Sequence, residues 1–185
     1  PTKARLQRLM AAGLHSITIS LDGFSEDHNW LRGHPESYHN AWEAIKMLVH
    51  EPELTWDVVT CVNRRNYPYL NELKTSLYKI GVRHWRMFTI FPVGRAVMHP
   101  ELQLTDEEFT GLMDFIKDTR KEGKMHLSYG CEGFLGKYEG EVRDNFFACN
   151  AGVTVGSILI DGSISACPSI RSDFHQGNIY QDEFM

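Results

Sequence analysis

With 185 residues, 42% of them hydrophobic and 23% charged, the chain can bury a sizeable core and has the composition of one ordinary globular domain with an appendage. The formal charge of −5 is mild and Lys and Arg are scattered, which argues against a nucleic-acid footprint, and no apolar stretch approaches the roughly 20 residues of a membrane span. Small molecules or proteins are therefore the expected partners and the cytoplasm the expected location.

In chain order, residues 1–12 read as a helix with Leu6, Leu9 and Met10 on one face, closed by Gly13. Residues 15–21 alternate apolar and small polar types and are rich in β-branched side chains, so they read as a strand, with Asp22-Gly23 opening the loop that carries Arg32. Ser37 can cap a helix whose Ala41, Ala44, Ile45 and Leu48 recur at helical spacing. Residues 54–62 form the next strand. Pro68 sits in the first turn of a third helix, with Leu70, Leu73, Leu77 and Ile80 as its buried face, and residues 82–91 follow as a third strand. Thr105 and Glu108 make a capping-box pattern ahead of the apolar stripe Phe109, Leu112, Met113 and Ile116. A short strand at 125–129 leads into an irregular stretch rich in glycine and aromatics. Beyond it, residues 153–160 and 163–166 flank Asp161-Gly162, a pair suited to a two-residue hairpin turn with positive φ at both positions.

Helix and strand alternate four times, which implies crossover connections and a parallel sheet. Four strands are too few for a closed eight-stranded barrel, and the first strand lacks the Gly-rich turn of a doubly wound nucleotide-binding sheet. A partial barrel is the expected fold. The chain opens without an initiator Met and stops at Asp-Glu-Phe-Met without a turn signal, so both ends are expected to be cut.

In parallel α/β folds the chemistry sits at the carboxyl ends of strands. Ser20 and Arg32 fall there, and a hydroxyl with a planar guanidinium fork suits a carboxylate; the alternative is an ordinary strand polar residue and a solvated loop charge. The four cysteines, Cys61, Cys131, Cys149 and Cys167, contain no CxxC pair and are too widely spaced for a disulfide scaffold. Cys61, in an apolar strand, reads as core, and His28, His34 and His39 as solvated side chains. Cys149 and Cys167 flank the hairpin, whose closure can bring two thiolates to one side; the alternative is a pair of buried small hydrophobes.

The run SLDGFSEDHNWLRG, followed by AWEAIKMLV, resembles the fourth strand, loop and helix of radical SAM enzymes with SPASM or twitch-type extensions. The resemblance continues through VVTCVN at 58–63, through Arg86-Met87-Phe88 and Gly94-Arg95, and through Cys149, Gly162-x4-Cys167 and Gly177-Asn178-Ile179-Tyr180, which are similar to the opening of a SPASM domain. It implies residues 1–130 as the second half of a partial (β/α)6 barrel and 131–185 as the start of a SPASM-like, β-hairpin extension. It further implies that Ser20 and Arg32 contact the amino-acid end of S-adenosylmethionine, and that Cys149 and Cys167 ligate an auxiliary [4Fe–4S] cluster. Cys131 stands open between ligand and bystander, being farther upstream than the family's usual leading cysteine. Asn63 and Arg95 carry no ligand assignment.

On this resemblance the parent enzyme reductively cleaves S-adenosylmethionine and abstracts hydrogen from a substrate, with a peptide or protein as the family-level expectation and a ferredoxin or flavodoxin as reductant. The family's CxxxCxxC motif for the radical-generating cluster is absent from these residues, so this piece alone is expected to be inactive. Where the sulfatase-maturing relatives have an Asp after the second SPASM cysteine, this chain has Pro168, which argues against that substrate. The alternatives are a metal-dependent partial-barrel enzyme and a non-catalytic binding or scaffold domain. A half-barrel with an uncovered sheet edge is also expected to oligomerise.

Overall fold

The computed structural model describes residues 2–130, 133–167 and 175–182. They divide into two compact units, residues 1–90 with 101–146 and residues 91–100 with 147–185. In the first unit, helices α1 (Lys3–Ala11), α2 (Ser25–Arg32), α3 (Ser37–Leu48), α4 (Leu70–Lys79) and α5 (Asp106–Lys121) accompany strands β1 (Ser16–Ser20), β2 (Thr55–Val62), β3 (His84–Thr89) and β4 (His126–Tyr129). The strands pair in chain order as one parallel sheet, as the alternation of periods predicts.

One face of that sheet carries the core. In β2, Val58, Thr60 and Val62 are buried while Asp57, Val59 and Cys61 are half-buried, the two-residue period of a strand with unlike faces. Leu21, Val58, Trp85, Met87 and Leu127 from the sheet pack with Ile45, Leu73, Leu77, Leu112, Met113 and Ile116 from α3, α4 and α5. Thr60, buried on this face, donates to Leu21 O at 2.6 Å and accepts from Trp85 Nε1 at 2.8 Å, so neither its hydroxyl nor the indole N–H is left unpaired. Leu6 of α1 joins Leu48 and Leu54 in a smaller cluster, but Leu9, expected beside it, is 44% exposed.

The expected capping box closes the start of α5: Glu108 N donates to Thr105 Oγ1 at 3.1 Å and Thr105 N to Glu108 Oε2 at 2.8 Å. Ser37, by contrast, caps nothing. It is the first residue of α3, behind Glu36, and its hydroxyl is 3.0 Å from His28 Nε2. Pro68 lies in a short 3-10 turn, Tyr67–Tyr69, that feeds α4.

The second unit holds an antiparallel sheet of β5 (Ser157–Ile158), β6 (Ser163–Ser165) and β7 (Gly177–Asn178), in the order β5-β6-β7. The hairpin occurs where Asp161-Gly162 places it, but not with the expected two-residue turn. Leu159 N donates to Ser163 O and Gly162 N to Leu159 O, and only Gly162 has positive φ (84°), so the loop has three residues and a single left-handed position. Asp161 stays at negative φ and its carboxylate accepts from Ser163 N at 3.0 Å. A Cβ at Gly162 would lie 2.6 Å from the Tyr180 ring, and Asn178 Nδ2 donates to Asp161 O at 3.1 Å. The Asp-Gly pair and the Gly177–Tyr180 segment thus form one packed turn.

Candidate functional site

The stretch after β1, expected to be a loop, is the helix α2. It was illegible by periodicity because SEDHNWLR has no apolar stripe, but its end charges suit the helix dipole. Glu26 and Asp27 occupy the first turn, Arg32 the last, and Gly33 closes it at φ 66°. Helical spacing brings His28 and Arg32 to one face, and both meet Asp22.

Asp22 is the centre of the arrangement and is only 1% exposed. Its Oδ2 accepts from Arg32 Nε at 2.6 Å and its Oδ1 from the Cys61 N–H at 2.9 Å. Its own N–H donates to His28 Nδ1 at 2.9 Å, which directs the imidazole's Nε2 to Ser37. Burial pushes the Asp22 carboxyl pKa up, but contacts with His28, the Cys61 N–H and the Arg32 guanidinium together hold it below the usual carboxylate value. The group is therefore an anion at neutral pH.

Asn66, also buried, ties the ends of β1 and β2 together. Its Nδ2 donates to Asp22 O at 2.8 Å and Cys61 O at 2.9 Å, and its Oδ1 accepts from Asn63 N at 2.9 Å. Asn63 is a turn residue, donating from Nδ2 to Cys61 O and accepting from Arg65 N at Oδ1. Arg65 in turn pairs with Asp27 at 2.9 Å and lies 4.4 Å from the centroid of the Trp30 ring.

Of the expected site residues, Ser20 ends β1 half-buried, and Arg32 stands at the end of α2 with its side chain 40% exposed. Arg32 spends Nε on Asp22, and its two Nη groups have no partner among the described residues. The Ser20 hydroxyl likewise has none among them. These unspent donors suit a carboxylate. Cys149 is exposed and Cys167 half-buried in the second unit; Cys131 lies outside the described residues. Among the described residues no three His, Cys, Asp or Glu side chains gather as a metal site. Arg95 is exposed in a 3-10 turn, Gly94–Met98.

Two expectations need correction. His28 is 1% exposed and not solvated, because Asp22 N–H and Ser37 Oγ satisfy both ring nitrogens. Cys61 is not core: it lies on the half-buried sheet face, opposite Val62 in the pleat. That same face carries Thr18, Asp57 and Arg86, joined by hydrogen bonds of 2.6 Å from Thr18 Oγ1 and 2.7 Å from Arg86 Nε to the Asp57 carboxylate. A cavity of about 610 Å³ opens over their end of the sheet, the amino-terminal ends of the strands, and so away from Asp22 and Arg32.

Among the described residues no helix is long and apolar enough to cross a membrane. No family model matches the chain. It is 29% identical over 125 residues to an AdoMet-dependent heme synthase of Oleidesulfovibrio alaskensis, covering 67% of this chain and 32% of the relative. It is also 27% identical over 131 residues to the heme synthase of Nitratidesulfovibrio vulgaris, covering 70% and 35%. The chain thus spans about a third of the length of the curated relatives it matches. Its fold is shared with native anSMEcpe with bound AdoMet and Cp18Cys peptide, at TM-score 0.66 and 15% identity over 98% of this chain and 52% of that one. It is shared as well with Streptococcus suis SuiB bound to the precursor peptide SuiA, at TM-score 0.63 and 14% identity over 98% and 43%. A parallel α/β fold shared with these solved structures, joined to a sequence likeness to AdoMet-dependent heme synthases, supports a radical SAM family for the chain.

Proposed function

We propose that residues 1–130 are the second half of a partial (β/α)6 barrel that holds the amino-acid end of S-adenosylmethionine, and that residues 131–185 begin a SPASM-like extension. One observation carries the reading: the Arg32 guanidinium is held through Nε by Asp22, two residues beyond the Ser20 that ends β1, and its two Nη groups have no partner among the described residues. The planar fork fits a carboxylate's two oxygens, and Ser20 supplies a further donor. When bound, S-adenosylmethionine and a reduced [4Fe–4S] cluster supply a hydrogen-abstracting radical, the cluster being held outside these residues and reduced by a ferredoxin or flavodoxin. The part played by this chain is to bind, orient and shield the cofactor. Cys149 and Cys167, with Cys131 as the third candidate, are soft donors suited to an auxiliary cluster. The reaction belongs to the whole cytoplasmic enzyme and not to these residues alone.

The substrate is an organic molecule held across the barrel. A peptide is the first reading, in keeping with the peptide-bound structures that share the fold. A haem precursor is the second, favoured by the higher identity to heme synthases.

The test is Arg32→Ala in the full-length chain, reconstituted anaerobically. Weaker S-adenosylmethionine binding with unchanged iron content is expected; unchanged affinity would refute the carboxylate role. Cys149→Ser and Cys167→Ser should each lower iron per chain, whereas Cys61→Ser should not.

A further inference from the structure

Resting on the reading of Arg32 as a carboxylate ligand, we infer that Asp22 is a positioning residue: it takes the Nε edge of Arg32 and so leaves the Nη1/Nη2 end of the fork as the edge that meets the cofactor.

A guanidinium has two ways to grip two oxygens, side-on through Nε and one Nη or end-on through both Nη groups. Asp22 Oδ2 at 2.6 Å from Nε occupies the first way. An incoming carboxylate is then left with the end-on fork, in one orientation.

The position of Asp22 is set from four directions, none of them through α2's own backbone. Cys61 N–H of β2 holds Oδ1 at 2.9 Å, His28 Nδ1 takes the backbone N–H at 2.9 Å, and Asn66 Nδ2 takes the backbone carbonyl at 2.8 Å. Leu21, next in the chain, is held by the ladder through its N–H to Val59 O at 2.8 Å. Arg32 sits on the last turn of an eight-residue helix that buries only His28, a weak anchor by itself. The Asp22 contact transfers its reference frame from that helix to the sheet. Arg32 loses less side-chain entropy when a ligand arrives because it is already ordered, which is the general benefit of preorganisation.

The pairing also has an electrostatic consequence. Asp22 and Arg32 together are close to neutral, so the site attracts anions in general only weakly and recognises a carboxylate by geometry. Replacing Asp22 by Asn removes the compensating charge and halves the acceptor set. Arg32 Nε–H and Cys61 N–H bond different oxygens of Asp22, so in Asn one of these donors would face the amide NH₂.

The experiment measures binding to the full-length chain, anaerobically reconstituted, of two probes: S-adenosylmethionine and decarboxylated S-adenosylmethionine, which keeps the amine and sulfonium. The ratio of the two dissociation constants reports the carboxylate contact alone. Asp22→Asn should reduce that ratio about tenfold, the weight of one charge-assisted hydrogen bond, because loss of the aligned fork outweighs the attraction gained by the uncompensated guanidinium, with affinity for the decarboxylated probe kept within about twofold. A variant that merely loosened the fold would weaken both probes alike and leave the ratio unchanged, and that result would overturn the proposal. Arg32→Ala separates the two claims: if it leaves the ratio unchanged, the carboxylate reading itself fails whatever Asp22 does.

Two further measurements stand if Asp22→Asn does not fold. Arg32→Lys keeps the charge but has a single point of contact, so it should lose carboxylate preference as fully as Arg32→Ala; a wild-type ratio would overturn the two-edge argument. Without any ligand, the Arg32 Nε–H should give a shifted, slowly exchanging proton resonance, and exchange at the rate of a solvated arginine would overturn the proposal as well.

Discussion

Replacing Asn66 probes the junction between the ends of β1 and β2 most directly. Asn66→Ala removes the donor to Asp22 O and the acceptor for Asn63 N–H, both buried, while Cys61 O keeps a partner in Asn63 Nδ2 at 3.1 Å. At about 1–3 kcal/mol for each buried group left unpaired, and allowing for partial relief by water, the cost is about 2–4 kcal/mol. Asn66→Asp should be worse despite its similar size. It faces two carbonyl oxygens with acceptors only, and it places a second negative charge beside Asp22, which adds about 1–2 kcal/mol. All four tryptophans, Trp30, Trp42, Trp56 and Trp85, lie in the first unit, so their fluorescence during urea unfolding reports on that unit alone. With a slope of about 2 kcal/mol per molar urea, the midpoint should fall by about 1–2 M for Asn66→Ala and further for Asn66→Asp. A loss below about 0.5 kcal/mol, the size of an ordinary surface change, or the reverse order of the two variants, would refute the reasoning.

Three further outcomes are expected. Thr105→Ala should cost the first unit about 1 kcal/mol by opening the capping box, while Thr105→Ser, which keeps the hydroxyl, should cost much less; equal losses would mean that the hydroxyl is not the source. Gly81→Ala should destabilise by about 1–3 kcal/mol, because φ is 104° and the new Cβ would lie 2.8 Å from Val49 Cγ1; combining it with Val49→Ala should recover only the steric part, and full recovery would refute a backbone contribution. The third concerns pH. Asp22 has a folded pKa below its ordinary value of 3.8, so its stabilising contribution is fully present above that value and is lost only as pH falls through the lower folded pKa. The stability gap between wild type and Asp22→Asn should therefore be flat from neutral pH down to about 5 and close only in strong acid; closure near pH 6 would contradict the ionic description.

The order of elements in the first unit was legible because its long segments obey clean periods: Leu70, Leu73 and Leu77 at helical spacing are buried on α4, and the capping box of α5 forms as spelled. What escaped is what depends on partners distant in sequence. Asp22 reads as the start of a loop until β2, 39 residues on, supplies Cys61 N–H. His28 reads as solvated until Asp22 and Ser37 reach both its nitrogens. Cys61 was misplaced because TWDVVTCV carries apolar residues on both faces, so alternation could not say which face the helices cover. Arg32 was a candidate by its residue type and position, but its contact with Asp22 was not legible, because helical spacing in α2 is what brings the two together. The hairpin was found from Asp161-Gly162, whereas its loop length is decided by Gly162 alone taking positive φ.

The proposed role of this chain is to help hold S-adenosylmethionine for radical chemistry. Anaerobic reconstitution of the full-length protein with iron, sulfide and a reductant, followed by incubation with S-adenosylmethionine, tests it most directly. [4Fe–4S] absorbance and formation of 5′-deoxyadenosine are expected, both present in wild type and the second diminished in Arg32→Ala. A protein that assembles its cluster yet neither binds S-adenosylmethionine nor forms 5′-deoxyadenosine would contradict it.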